Sequence, residues 1–226
     1  MPRPARVRAG RAAFVLACLV LAFGLAPGAF AAGGPLGIDH RITYDDSGIW
    51  GKAHQNQVLI GTGLFVAASA LWEGNDSRFG HTMWQSGDAI ALALAGDFVL
   101  SNTFQRQRPE DTADPNRWFQ GFGNTSFPSG HAMISSAAVT PIVLEYGSGH
   151  PWVWALEAIP LYEGVGRLKT QAHWQTDVLA GTVSLAAVRR LVAPALASVS
   201  ARERRVGREW CSVHLHGRDG RPGRHD

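Results

Sequence analysis

Five apolar segments, separated by glycine-rich, proline-rich or strongly polar breaks, constrain the fold of this chain more than any other feature. The first closes at Glu73-Gly74, which is typical of a helix end, and the fourth follows Pro151, a residue favoured in a first helical turn. The pattern predicts an all-α fold. The predicted helices span residues 58–72, 82–103, 131–146, 152–162 and 175–197.

Two further stretches lack helical periodicity. Residues 33–50 are rich in Gly and Asp, so we expect an irregular lead segment. Residues 109–127 are dense in Pro, Asp, Asn and Gly and predict a long loop. Because loops of this length inside a compact domain often carry function, this loop is a candidate part of a site.

The chain of 226 residues is long enough for one domain with its own core. An arginine-rich start, an apolar run and the small-residue pair around Phe30 predict a signal peptide over residues 1–31, cleaved after Ala31. An uncleaved membrane anchor is the alternative. We expect a helical domain over 32–200 and a charged, disordered tail over 201–226. The protein is therefore expected to be exported, periplasmic or secreted, and peripheral if it meets a membrane.

The charge of the chain argues against a nucleic-acid partner. Four arginines lie in the predicted signal peptide, and removing them changes the formal net charge from +3 to −1. Nucleic-acid binding draws on many Lys and Arg contacts to the phosphate backbone. The expected mature chain lacks the excess of positive charge that such contacts require.

Residues 126–131, Ser-Phe-Pro-Ser-Gly-His, predict a tight turn that leads into a helix. Ser129 is expected to cap that helix, and the free amide groups at its start would favour an anion. His131 could donate a proton to a group leaving that anion, because imidazole titrates near neutral pH. The alternative is a capped helix with an incidental histidine.

His173 and Asp177 are four residues apart, so on a helix they would share a face and hydrogen-bond. A carboxylate on one ring nitrogen leaves the other as an oriented nucleophile or base. Arg167, six residues earlier, offers a planar fork of donors suited to a phosphoryl group. Arg108, before Pro109, adds a second arginine at the end of a predicted helix. A surface ion pair is the alternative reading of His173 and Asp177.

Taken together and in order, Arg108-Pro109, the 128–131 turn and the Arg167-x5-His173-x3-Asp177 spacing resemble the signature of the type 2 phosphatidic acid phosphatase superfamily. This superfamily also contains soluble class A bacterial acid phosphatases and vanadium haloperoxidases. The resemblance covers about residues 91–185. It implies a bundle of about five to six core helices with the active site at one end. It also implies a two-step phosphoryl transfer through a phosphohistidine, without a metal or other cofactor.

The resemblance assigns roles to residues at matching positions. His173 would be the nucleophile, Asp177 its orienting partner, and His131 the acid that protonates the leaving oxygen. Fixed positive charge and hydrogen-bond donors would surround the phosphate oxygens. The implied phosphate-binding groups are Arg108, Arg167, Ser129 and the Gly130 amide.

One position departs from the family pattern. The family has a Lys seven positions before the arginine of its first motif, and Ser101 stands there in this chain. A charge-assisted hydrogen bond contributes about 1.5–3 kcal/mol, so its loss would slow turnover unless another cation compensates. We hypothesise that Arg106 or Lys169 reaches the phosphate instead.

The sequence therefore predicts a phosphatase acting on a phosphomonoester or diphosphate, with a lipid at the membrane surface as one class of substrate. Two alternatives remain open: a vanadate-dependent haloperoxidase, since the same groups can bind vanadate, and a catalytically weakened member that binds anionic lipid. The sequence does not indicate an oligomeric state.

Overall fold

The computed structural model describes residues 33–183, and within them the regular structure is helical. This confirms the predicted all-α fold. No helix in this part of the chain is both long enough and apolar enough to cross a bilayer. The elements are a 3₁₀-helix at Gly48–Trp50, α1 (Lys52–Glu73), α2 (Arg78–Phe104), α3 (Gly130–Tyr146), a 3₁₀-helix at Pro151–Glu157, α4 (Ala158–Lys169), and a helix α5 that is described over 175–183.

Three sequence predictions fall outside the described residues. They are the signal peptide over 1–31, the later part of the last helix over 184–197, and the charged tail over 201–226.

Helix α3 is the centre of the described domain, because it packs against α1, α2, α4 and the 3₁₀-helix Pro151–Glu157. Small side chains let these neighbours approach closely, and Ala132, Ala137 and Ala138 are almost fully buried. Three apolar clusters share this helix, and Met133 and Val139 each belong to one of them. The packing fixes the position of the first turn of α3.

The largest differences from the predicted helix boundaries are in α1 and α4. Helix α1 begins at Lys52 rather than at 58, because its first turns bury polar side chains such as Gln55 and carry no apolar period. The segment predicted as one helix over 152–162 is a 3₁₀-helix followed by α4, which continues to Lys169. Arg167 therefore lies within a helix, in its last turn.

Candidate active site

The first turns of α1 and α3, the last turn of α4 and the loops before α3 and α5 meet at one place. The structure brings together four of the predicted site residues there. Arg167, Arg108 and His131 all lie close enough to His173 for their charges to lower its pKa. His173 itself is buried, with only 5% of its surface exposed. The predicted histidine and arginine groups therefore form one site.

Three hydrogen-bond donors of this site are buried and have no partner within the described residues. They are Nε of Arg108, Nε of Arg167 and Oγ of Ser129. A buried donor without a partner costs about 1–3 kcal/mol, and more when it is charged. Arg167 makes only a long contact, 3.5 Å from Nη1 to Oε1 of Gln55. This arrangement suits an oxyanion that accepts from all three groups.

The ring of His173 is held by a backbone carbonyl. Its Nδ1 lies 2.6 Å from the carbonyl oxygen of Ser126. Because a carbonyl oxygen only accepts, Nδ1 must carry the proton, and Nε2 is left with a free lone pair. Burial lowers the pKa of His173 well below its usual value, and the nearby arginines add to the effect. His173 is therefore neutral near pH 7, as a nucleophile must be.

The predicted hydrogen bond between Asp177 and His173 is wrong. Helix α5 begins at 175, so the two residues do not share a helix face. Asp177 instead reaches back to the amide of Trp174, at 2.9 Å, in the manner of a capping box. Its carboxylate also accepts from Oγ of Ser126 at 2.6 Å. Asp177 thus contacts the residue whose carbonyl holds the His173 ring, and burial raises the pKa of Asp177 to about 6.

His131 pairs with a residue that no motif indicated. Its Nε2 lies 2.9 Å from Oδ1 of Asn56, in the polar first turns of α1. Burial lowers the pKa of His131 to about 4, and the positive charges of Arg167 and Arg108 contribute further. A bound phosphate would oppose those charges and raise this pKa again. His131 can therefore act as an acid when the site is occupied.

Neither residue proposed to replace the family lysine points to the phosphate site. Arg106 is fully buried, and its Nη1 and Nη2 atoms pair with the carboxylates of Asp177 and Asp39 at 2.5 and 2.6 Å. Lys169 lies 3.7 Å from the Asp45 carboxylate, on the lead segment. The hypothesis is wrong for Arg106, because its guanidinium already pairs with two carboxylates. Lys169 contacts Asp45 instead, which argues against a contact between Lys169 and the phosphate.

A different lysine reaches the rim of the site. Nζ of Lys52 lies 3.2 Å from Oε2 of Glu110, and Oε1 of the same carboxylate lies 3.5 Å from Nη1 of Arg108. Lys52 opens α1, far along the chain from Arg108, so sequence spacing could not indicate it.

The 128–131 turn has the expected position but one unexpected contact. Ser129 precedes α3, yet its side chain makes no capping hydrogen bond, so the predicted cap is wrong. Its amide donates to the carbonyl of Asp177 at 3.0 Å. A Cβ at Gly130 would lie 2.9 Å from Oδ2 of Asp97, which explains the glycine. The turn and α5 are therefore locked together beside His173.

Glu163, one turn before Arg167, leads to a prediction about stability. Both carboxylate oxygens are buried and have no hydrogen-bond partner among residues 33–183, and burial raises the pKa of Glu163 to about 7, against the opposing effect of Arg167. Since the pKa is higher in the folded state, the parent loses stability as pH rises from about 4.5 through 7. We expect Glu163→Gln to be more stable than the parent by about 1–3 kcal/mol at pH 8. Urea unfolding at pH 4.5 and 8 measures the free energy of unfolding of both proteins. An equal difference between variant and parent at the two pH values would contradict the prediction.

Comparison with known proteins places the motifs in a family context. A sequence model described as the PAP2 superfamily matches residues 83–196, half of the chain. Over 97 residues the chain is 36% identical to the lipid A 1-phosphatase of Porphyromonas gingivalis, a region that makes up 42% of this chain and 20% of that protein. The chain thus spans about a fifth of the length of this curated relative. No solved structure matches the chain significantly.

Proposed function

The chain belongs to the PAP2 superfamily, and from that premise we propose that it is a phosphatase that releases phosphate from a lipid through a phosphohistidine. The observation that carries the proposal is the set of three buried, unpartnered donors around a neutral His173. Arg108, Arg167 and Ser129 would hold the phosphate oxygens while the ring nitrogen attacks. The scheme uses no metal or other cofactor.

The proposed reaction has two steps. In the first, Nε2 of His173 attacks phosphorus, an N–P bond forms and the ester P–O bond breaks, while His131 gives a proton to the departing oxygen. In the second, His131 accepts a proton from a water molecule, and that water attacks the phosphohistidine and breaks the N–P bond. Inorganic phosphate is released and both histidines return to their starting states. Arg108 and Arg167 stabilise the charge on the equatorial oxygens in both steps.

A lipid substrate is supported by two observations. The relative from Porphyromonas gingivalis is named for a lipid substrate. Several large apolar side chains are exposed on the described surface, Leu71 to 74%, Trp72 to 89% and Phe98 to 70%. Exposed apolar side chains such as these are available for contact with lipid or with a partner protein. We propose that the protein is exported and acts peripherally at a membrane surface.

Phosphate release by the full chain tests the proposal. We expect turnover of phosphatidic acid in mixed micelles and of p-nitrophenyl phosphate, in the presence of a chelator. No release from either substrate would reject the phosphatase proposal. Bromide oxidation with added vanadate, in the absence of any phosphate release, would favour the haloperoxidase alternative.

The role of His131 predicts a dependence on the leaving group. We expect His131→Asn to lower kcat about 10²- to 10³-fold for an alkyl phosphate, whose leaving oxygen needs a proton. The loss should be far smaller for p-nitrophenyl phosphate, whose phenolate leaves without one. Equal losses on the two substrates would show that His131 does not act as the acid. His81→Asn, at an exposed position outside the site, is the control and should leave both rates unchanged.

A further inference from the structure

An apolar cavity lies between α1, α2, α3 and the 3₁₀-helix Pro151–Glu157. Its volume is about 430 Å³, within the range of small-molecule sites. Its walls are almost entirely apolar and include Phe65, Val139 and Ile142, while Trp152 stands at an exposed edge. Nothing in the catalytic scheme uses this space.

Two helices connect the cavity to the proposed catalytic site. At the site, α1 and α3 are joined by the hydrogen bond between Asn56 and His131. Farther along the same two helices, Thr62 and Ala138 line the near part of the cavity. With a helical rise of 1.5 Å per residue, these residues lie roughly 9–10 Å beyond the Asn56–His131 pair. Tyr146, at the far part, lies roughly 22 Å from His131 along α3.

We propose that this cavity binds one hydrocarbon chain of the substrate, on the leaving-group side of the phosphate. The proposal rests on the proposed function, in which His131 protonates the departing oxygen. That oxygen must lie within hydrogen-bond reach of His131, so the organic part of the substrate begins beside α1 and α3. The cavity lies farther along the same pair of helices.

The chemistry and length of a lipid chain both fit this space. Apolar walls cannot satisfy a polar group, so a headgroup would lose its hydration without replacement. A methylene chain gains from the transfer, by about fourfold in binding for each buried CH₂. One leaflet of a bilayer is about 15 Å deep in hydrocarbon, half of the roughly 30 Å core. A chain of that length would reach beyond Ala138 and end before Tyr146.

A series of n-alkyl phosphates, from butyl to dodecyl and below their micelle concentrations, tests the proposal with the full chain. We expect kcat/KM to be nearly constant for the shortest esters, because their chains end before Ala138. Beyond that length it should rise by about two- to fourfold per CH₂, mainly through KM.

Two cavity variants make the test specific. Ala138→Leu narrows the cavity and should abolish the rise for long chains, while the rate for butyl phosphate stays within twofold. Ile142→Ala enlarges the cavity and should shift the chain length with the highest kcat/KM to longer chains. This second variant tests the proposal if Ala138→Leu does not fold. The matched controls are Ala68→Leu and Ile60→Ala, at exposed positions of α1 that do not line the cavity. Both controls should follow the parent.

The outcomes separate this inference from the proposed function. Hydrolysis of butyl phosphate without any effect of chain length would overturn the inference and leave the phosphatase proposal standing. The same holds if the cavity variants behave like the controls, as they would if a segment of the protein itself fills the space. Absence of hydrolysis for every ester would reject both.

Discussion

Replacement of His173 with alanine is expected to lower kcat/KM for phosphate release by about 10⁴-fold or more, because it removes the nitrogen that is proposed to form the N–P bond. The neutral ring, its unprotonated Nε2 and the surrounding arginines are the features that support His173 as the proposed nucleophile. Steady-state phosphate release measures the loss. A rapid quench at alkaline pH, which preserves phosphohistidine, should detect a phosphorylated parent and an unphosphorylated variant.

The control for this variant is His81→Ala, which removes an exposed histidine on α2 whose ring contacts Gln85. It should keep parental kcat/KM. Thermal unfolding must show that His173→Ala is folded, since a general loss of structure would also remove activity. A folded His173→Ala that retains activity within tenfold of the parent would refute the assignment of the nucleophile.

Replacement of Arg106 with methionine is expected to reduce the free energy of unfolding by about 3–5 kcal/mol, since it leaves two buried carboxylates without their cation. The guanidinium pairs with Asp39 and Asp177, and it lies 4.4 Å from the centre of the Trp118 ring. It also donates to the carbonyl of Pro115, which anchors the long loop. Urea unfolding monitored by tryptophan fluorescence gives the free energy.

Arg78→Met is the matched control for Arg106→Met. Arg78 also pairs with a carboxylate, 2.7 Å from Oε1 of Glu145, but its side chain is 66% exposed. Exposed pairs contribute about 1 kcal/mol or less. If Arg106→Met is no more destabilising than Arg78→Met, the buried pairs do not hold the loop and α5 together.

The helices of this protein could be predicted from sequence wherever an apolar face repeats. The start of α1 could not, because its first turns carry no apolar period: Gln55 is buried but bonded to the Trp50 carbonyl, and Asn56 is exposed and bonded to His131. These residues also lie outside the stretch matched by the family. A polar helix turn has the same appearance in sequence whether it faces water or a buried phosphate site.

The motif residues Arg108, His131 and Arg167 do lie around His173, but spacing alone misassigned two contacts of the predicted site residues. A separation of four residues suggested a helical pair for His173 and Asp177, whereas the chain turns between them and the helix begins at 175. Arg106 lies two residues before Arg108 and looked equally available, yet their surroundings differ completely. Carboxylates that pair with Arg106 lie far along the chain, so only the tertiary structure can distinguish the two arginines.

The anchor of His173 is a main-chain atom, and this limits what conventional mutagenesis can detect. Every residue at position 126 would still present a carbonyl oxygen, so an alanine scan would leave the anchoring contact in place. Ser126→Ala would remove only the hydroxyl that connects to Asp177. The nucleophile's tautomer is thus insensitive to the identity of residue 126 and sensitive to the path of the backbone. The Ser126 side chain is itself buried and bonded to Asp177, so packing constrains that side chain, while the hydrogen bond to His173 depends on the direction of that one carbonyl.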